Sequence, residues 1–416
     1  MENKFRWLAR LFIVIIFVFC PFLSFLLSTL LLIKGIDLKF NILIGALCWG
    51  LYGYLFIPEV TMDITRHYEM YDSLLGLLTF DDFLFWTTLS DKPDYVMYYI
   101  FWIFGKIGFT SQIIGFFSAF IMYFMLYYLA YDISEIFNFK NSSIHSISYP
   151  LIFFLALTSP YWFSGIRQCN AIFLFIIALM SYYKGSYKNT VVFLLGSVFL
   201  HFSIYPFVIL FLCAIFFSNL WINVFAFVLI GSSFFFYQLL HALSEVFLTV
   251  GGIGEVLSMK IDAYIFSGDG DDAIFVGPAL RWYLSWILFF VSIPICYYIN
   301  IKKSRLKSRF LVIHYFYILL LSYMIFTLSG SLQLFSRTLD LMKYLFFFYV
   351  SYLIFQIGVG QKMKKMLIGL LVVVSVGGIY SLFIGNEGKT FYPELLYMNL
   401  VDILETSVPR TMYWKV

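Results

Sequence analysis

Between Leu8 and Ile384 the chain is a succession of long apolar runs separated by short polar or basic turns. A bilayer core about 30 Å thick needs about twenty apolar residues per helix, and runs of that order recur along the whole length. They predict helices at 8–33, 40–57, 107–131, 147–163, 166–183, 190–202, 203–217, 220–238, 279–299, 310–328, 338–358 and 366–384. The expected fold class is all-α, a polytopic integral membrane bundle of about twelve helices. No internal repeat and no soluble domain are visible. The chain therefore reads as one transmembrane domain, 1–416, with larger external segments at 58–106, 239–278 and 385–416.

Composition agrees. The chain is 62% hydrophobic and 12% charged, far from the balance of a soluble domain. A net charge of +4, thinly spread, gives no support to nucleic-acid binding. The cysteines, Cys20, Cys48, Cys169, Cys213 and Cys296, lie in or beside apolar runs without CxxC spacing, and read as small buried hydrophobes. The N-terminal run is too long for a signal peptide and no small-residue cleavage site follows it, so it reads as a retained first helix.

Lys and Arg in short loops set the orientation. The turns "IKKSRLKSR" (301–309) and "QKMKK" (361–365) are strongly basic and mark the cytoplasmic side, as do Lys184 and Lys188. Working outward, 58–106, 239–278, 329–337 and 385–416 fall on the external side. Lys4, Arg6 and Arg10 fit poorly, because the scheme puts them outside as well. A crossing at 95–108 would reverse them, but fourteen residues of helix reach only about 21 Å, so that segment is expected to be re-entrant or interfacial.

Four arginines then share the external helix ends: Arg66 after the second helix, Arg167 at the start of the fifth, and Arg281 and Arg337 at the starts of the ninth and eleventh. Each alone could be a snorkelling anchor. Together they suggest anion binding, because the planar guanidinium matches phosphate oxygens bidentately and a lipid-linked diphosphate arrives at this depth. His201 is expected below the outer boundary, at a helix break helped by Pro206. There it is either a proton acceptor or a structural histidine bonded at the break. In "DITRHYEMYD", a helix would place Asp63, Arg66, His67 and Tyr71 on one face. The acidic turn "SGDGDDAIFVG" (267–277) lacks the ligand spacing of a calcium loop. Neither a metal-binding motif nor a phosphate-cradling glycine motif is present, and no metal or cofactor is expected.

Three stretches, "DITRHYEMY", "SGIRQCNAIFLFIIALMSYYKGSYKN" and "VFLHFSIYPFVIL", occur in the order typical of the EpsG-like family, which includes Wzy-type O-antigen and exopolysaccharide polymerases. "FSRTLDLMKYLFFF" resembles the late arginine element of that family, and the likeness runs from about 50 to 400. The resemblance implies an inner-membrane enzyme similar to the GT-C-type lipid-dependent glycosyltransferases. It would move a glycan from one undecaprenyl diphosphate to the non-reducing end of another lipid-linked repeat unit, on the periplasmic face. By motif, Asp63 and Arg66, then Arg167 and Gln168, then His201, then Arg337 are the matching positions. His67 stands where an aromatic residue is usual, a departure that suits acceptor specificity. The expected catalytic residues are His201, Asp63, Arg167 and Arg337. Arg66, Arg281, His67, Gln168 and Tyr71 are expected to bind diphosphate and glycan. Partners would be undecaprenyl-diphosphate-linked oligosaccharides, membrane lipids and a chain-length regulator. An O-antigen ligase, or a lipid-linked oligosaccharide flippase, is the alternative.

Overall fold

A computed structural model describes residues 2–58, 62–89, 95–137, 147–158, 162–250, 253–261, 279–302, 304, 306–329, 332–357, 359–384 and 396–406. All regular structure among them is helical. The first half of the chain contains α1 (Glu2–Phe19), α2 (Pro21–Ile33), α3 (Leu38–Tyr54), α4 (Asp63–Leu75), α5 (Phe80–Leu89) and α6 (Tyr95–Ile107). It continues through α7 (Gln112–Phe137), α8 (Ser148–Leu157), α9 (Ile166–Lys184) and α10 (Tyr187–Leu200). Then follow α11 (Tyr205–Phe216), α12 (Asn219–Ser232), α13 (Phe236–Val250), α14 (Ile253–Ile261) and α15 (Ala279–Ile301). The last are α16 (Ser308–Leu328), α17 (Leu332–Tyr352), α18 (Gln361–Ile384) and α19 (Leu400–Glu405). The chain divides into two compact units, one made of 1–151, 158–173 and 386–416, the other of 152–157 and 174–385.

Seven helical stretches among the described residues are long and apolar enough to cross a membrane: Gln112–Phe137, Ile166–Lys184, Asn219–Thr249, Tyr283–Ile301, Ser308–Leu328, Leu334–Ile357 and Gln361–Tyr380. This corrects the expected count of about twelve, and the reasons are local. The run 8–33 is not one helix. Cys20 takes an extended conformation with φ −156°, and Pro21 starts a new helix at the position where its missing N–H costs nothing. The chain folds back there. The Ser24 hydroxyl donates to the carbonyl of Ile13 (3.2 Å), and Arg10 pairs with Asp37. The 13 residues of α2 extend only about 20 Å, short of a ~30 Å core. The hairpin also removes the anomaly of the N-terminal basic residues, since it returns Arg10 to the end of the first unit that carries Lys34 and Lys39.

Two further runs shorten for similar reasons. The run 147–163 stops as a helix at Leu157. The runs 190–202 and 203–217 form the arms of a second hairpin, of 14 and 12 residues. Gly185, at φ +85°, turns the chain out of α9. After the tip at His201, α11 runs back beside α9, as Phe207 against Phe175 (6.1 Å) and Phe211 against Tyr182 (5.3 Å) show. The five cysteines are free thiols.

In the first unit α3 and α7 pack closely and antiparallel. A Cβ on Gly53 would meet the carbonyl oxygen of Gly115 at 2.3 Å and the Ala119 methyl at 2.6 Å, so small residues are what let the backbones approach. Nearer the opposite end Trp49 stacks on Tyr123 (3.9 Å), and its indole N–H donates to the Tyr127 hydroxyl (3.2 Å). The Gln112 amide bridges the carbonyls of Tyr54 (3.0 Å) and Thr406 (3.1 Å), which joins the end of α3, the start of α7 and the segment after α19. Residues 55–111 thus leave and re-enter at one end of the unit, and α4, α5 and α6 lie over that end. The expected re-entrant or interfacial segment at 95–108 is α6, 13 residues long.

The second unit is built on aromatic packing around α15, α16 and α17. Phe310 stacks on Tyr352 (3.3 Å) and Tyr317 on Tyr349 (4.4 Å). Buried hydroxyls find partners: Ser292 with Tyr317 (2.8 Å), and Tyr349 with His314 and with the Cys296 thiol (3.7 Å). In an apolar interior such pairing is what makes the polar groups tolerable.

Candidate active site

The first unit gathers four of the expected residues. Asp63 opens α4, and the three-and-four spacing brings Arg66 and His67 back to it. Arg66 Nη2 donates to Asp63 Oδ1 (2.9 Å), and His67 Nε2 lies 3.4 Å from Asp63 Oδ2, a contact outside hydrogen-bond alignment. The environments differ. The Arg66 side chain is 71% exposed, whereas His67 is buried against the edge of Phe101.

Arg167 joins from the first turn of α9, close enough for its charge to act on Asp63. Burial works against a charge on Asp63. The contact with His67 and its charge, then the charges of Arg167 and Arg66, outweigh burial and hold the carboxyl well below the usual carboxylate range. The carboxylate thereby holds the Arg66 guanidinium, touches the His67 imidazole and lies within reach of the Arg167 charge. Before α9 the chain is irregular, with a short 3-10 turn at Trp162–Ser164 whose Phe163 carbonyl accepts from Ser118 (2.6 Å). Broken helices with irregular backbone at membrane depth are where polar ligands are held in membrane proteins.

Tyr71 departs from expectation. It is fully buried, and its hydroxyl donates to the carbonyl of Phe109 (2.6 Å), which ties α4 to the approach to α7 and leaves no ring face for a sugar. Gln168 is half-buried beside Arg167. One turn further along α9, Asn170 was not singled out from the sequence. Its Nδ2 donates to the Ile166 carbonyl (2.7 Å), while its buried Oδ1 has no hydrogen-bond partner among the described residues.

The second unit holds the rest. His201 sits at the tip of the α10–α11 hairpin, buried and in extended conformation (φ −156°). The Ser203 N–H donates to its Nδ1 (3.1 Å), and the Ser203 hydroxyl lies 2.7 Å from the same nitrogen. Because the backbone N–H donates to it, Nδ1 is the acceptor nitrogen of the neutral ring. Arg337 is buried in α17. Two residues overlooked in the sequence accompany it. Lys343, also buried, donates to Asp340 Oδ1 (2.6 Å). Their signal was the three-residue step Arg337, Asp340, Lys343 inside an apolar run. Arg281 lies in the first turn of α15, with its side chain outside the described residues, as is the acidic turn 267–277. Among the described residues no group of His, Cys, Asp and Glu is arranged to hold a metal ion.

Fold and charges together define a polytopic helical membrane protein with ionisable clusters at the ends and within the spans of its helices. A family model matches residues 38–394, and the chain belongs to the EpsG family. Membership of that family supports a glycosyltransferase-like, polysaccharide-polymerase role at a membrane. No curated protein and no solved structure matches the chain.

Proposed function

We propose that this protein is a Wzy-type polymerase of O-antigen or a related surface polysaccharide, acting on the periplasmic face of a bacterial inner membrane and akin to the GT-C-type glycosyltransferases. It moves the growing glycan from one undecaprenyl diphosphate to the non-reducing end of another lipid-linked repeat unit. The observation that carries this reading is the carboxylate-centred set of Asp63, Arg66, His67 and Arg167, in a chain of the EpsG family.

The chemistry follows from the groups. The acceptor hydroxyl oxygen attacks the anomeric carbon of the donor. The bond from that carbon to the diphosphate oxygen breaks, and its electron pair leaves with the diphosphate. Guanidiniums fixed in advance stabilise the developing charge without reorganising. Arg66, held by Asp63, and Arg167 serve this purpose in the first unit. The hydroxyl proton passes to a base, and the imidazole of the second unit suited to that role is His201, which Ser203 orients at Nδ1 through its N–H and hydroxyl. Gln168, half-buried beside Arg167, meets the glycan, and His67, buried beside Asp63, acts on it through that carboxylate. A single displacement inverts the anomeric centre.

The test is turnover by purified protein supplied with lipid-linked repeat units alone. A polymerase lengthens them. A ligase, which needs a different acceptor, or a flippase leaves their length unchanged.

A further inference from the structure

We infer that the Tyr323 hydroxyl binds the glycan, as hydrogen-bond partner of a sugar hydroxyl, in a layer of the second unit that also holds His201 and Arg337. The inference rests on the polymerase reading for its ligand and on separate residues for its site.

The layer follows from helix lengths measured from one level. Near the basic turns the Arg309 guanidinium stands 5.6 Å from the centre of the Tyr187 ring, and Phe310 stacks on Tyr352 (3.3 Å). Tyr187, Phe310 and Tyr352 therefore share that level. From Tyr187, the 14 residues of α10 carry the chain about 21 Å to His201. About 20 Å of α16 separates Phe310 from Tyr323, and about 22 Å of α17 separates Tyr352 from Arg337. Packing agrees. Phe207, in the first turn of α11 after the His201 tip, meets the Tyr323 ring edge-on (6.3 Å), and the Arg337 charge reaches the Tyr323 hydroxyl. The far ends of α16 and α17 lie about 8 Å beyond this layer.

Tyr323 differs from its neighbours. Tyr317 and Tyr349 pair their hydroxyls with Ser292 and His314. The Tyr323 hydroxyl makes no hydrogen bond among the described residues, and its side chain is half-buried. Phe316, two turns earlier on the same face of α16, is fully buried between Phe175 and Phe211. The hairpin covers that face only as far as its tip, where the chain turns back at His201. A phenylalanine would pack equally well, because the contacts with Phe207 and Phe326 (6.1 Å) do not use the oxygen. A phenol within a membrane-spanning helix, beside a buried cation and lacking a hydrogen-bond partner, is suited to a ligand.

The ligand class follows from the donors. A phenol both donates and accepts, whereas a guanidinium only donates. Together they fit a neutral, hydroxyl-rich ring, with sugar oxygens accepting from Arg337 and a sugar hydroxyl exchanging hydrogen bonds with Tyr323. A sugar held in this way lies at the level of His201, the base of the proposed reaction.

The experiment measures binding of the free repeat-unit oligosaccharide, released from its lipid by mild acid, to the full-length protein in nanodiscs. Tyr323→Phe keeps the ring and its aromatic contacts and is expected to fold with unchanged Tm. Its affinity for the oligosaccharide should fall about tenfold, the upper range for one neutral hydrogen bond. Its affinity for polyprenyl diphosphate, which carries no sugar, should stay within twofold of wild type. Unchanged affinity for the oligosaccharide in folded Tyr323→Phe, or an equal loss for polyprenyl diphosphate, would overturn the inference. Should Tyr323→Phe fail to fold, Tyr323→Met is measured instead, and unchanged affinity there would overturn it as well. Tyr323-dependent oligosaccharide binding by a protein that never lengthens lipid-linked repeats would leave this site standing and remove the polymerase reading. Normal lengthening with unchanged affinity would do the reverse.

Discussion

The Gln112 side-chain amide donates to the backbone carbonyl of Tyr54 (3.0 Å). This bond joins residues separated by α4, α5 and α6, and it fixes the start of α7 beside the end of α3. Cysteines introduced at Glu69 and Asp81, both exposed, and at Glu405 are therefore expected to react with a membrane-impermeant maleimide from the same side of the membrane. Labelling of Asp81→Cys from the opposite side would show that α6 crosses.

The contact between Arg10 and Asp37 gives the complementary expectation. A cysteine at Arg6, which is exposed, should label from the side opposite to Glu69→Cys and together with one at Lys34. Sequence alone left this unsettled because the apolar run 8–33 looks uniform. The one dissonant residue in it, Pro21, splits the run, and reading through it parts Arg10 from Asp37, which the structure brings together. Elsewhere hydropathy was informative about existence and poor about depth. The arms of the α10–α11 hairpin are as apolar as spanning helices and differ from them only in length. The face of α4 was legible from its i, i+3 and i+4 spacing, because helix geometry alone brings Arg66 and His67 to Asp63. Burial of Tyr71 was not legible, since it depends on Phe109, beyond two intervening helices. Asp340 and Lys343 were hidden by an apolar run that draws attention to Arg337 only.

Gly53 tests the packing of α3 on α7. Gly53→Val should lower stability by about 1–3 kcal/mol through overpacking, read as a drop in Tm, because its side chain meets the Gly115 backbone. Gly76→Ala, where a Cβ meets nothing within 4 Å, should leave Tm unchanged and serves as the control.

Asp63 carries a signed pH dependence. Its carboxyl is held below the usual range in the folded protein. Its contribution is therefore complete above the unfolded pKa of about 3.9 and fades as pH falls from there through the lower folded value. Asp63→Asn should cost about 1 kcal/mol or less by loss of the charged hydrogen bond from the largely exposed Arg66, equally at pH 7 and pH 5. The gap in Tm between wild type and variant should narrow only below about pH 4. A gap that closes between pH 7 and pH 5 would mean that Asp63 is not held by Arg66, His67 and Arg167.

Ser203 separates a working imidazole at the α10–α11 tip from a merely structural one. His201→Ala should reduce turnover about a hundredfold or more as a lost general base. Ser203→Ala should reduce it about tenfold, with Tm little changed, by removing the hydroxyl that holds the ring at Nδ1. Equal losses of Tm in both variants, with turnover per folded molecule unaltered, would make His201 a structural cap.

Glycan length formed by purified protein from lipid-linked repeat units is the decisive measurement. Wild type is expected to give a ladder of lengthened products, and Arg167→Ala and Arg66→Ala to shorten it severely while the protein remains folded. A wild-type ladder from folded Arg167→Ala, or no lengthening at all by wild type, would contradict the assignment of these guanidiniums to a lipid diphosphate.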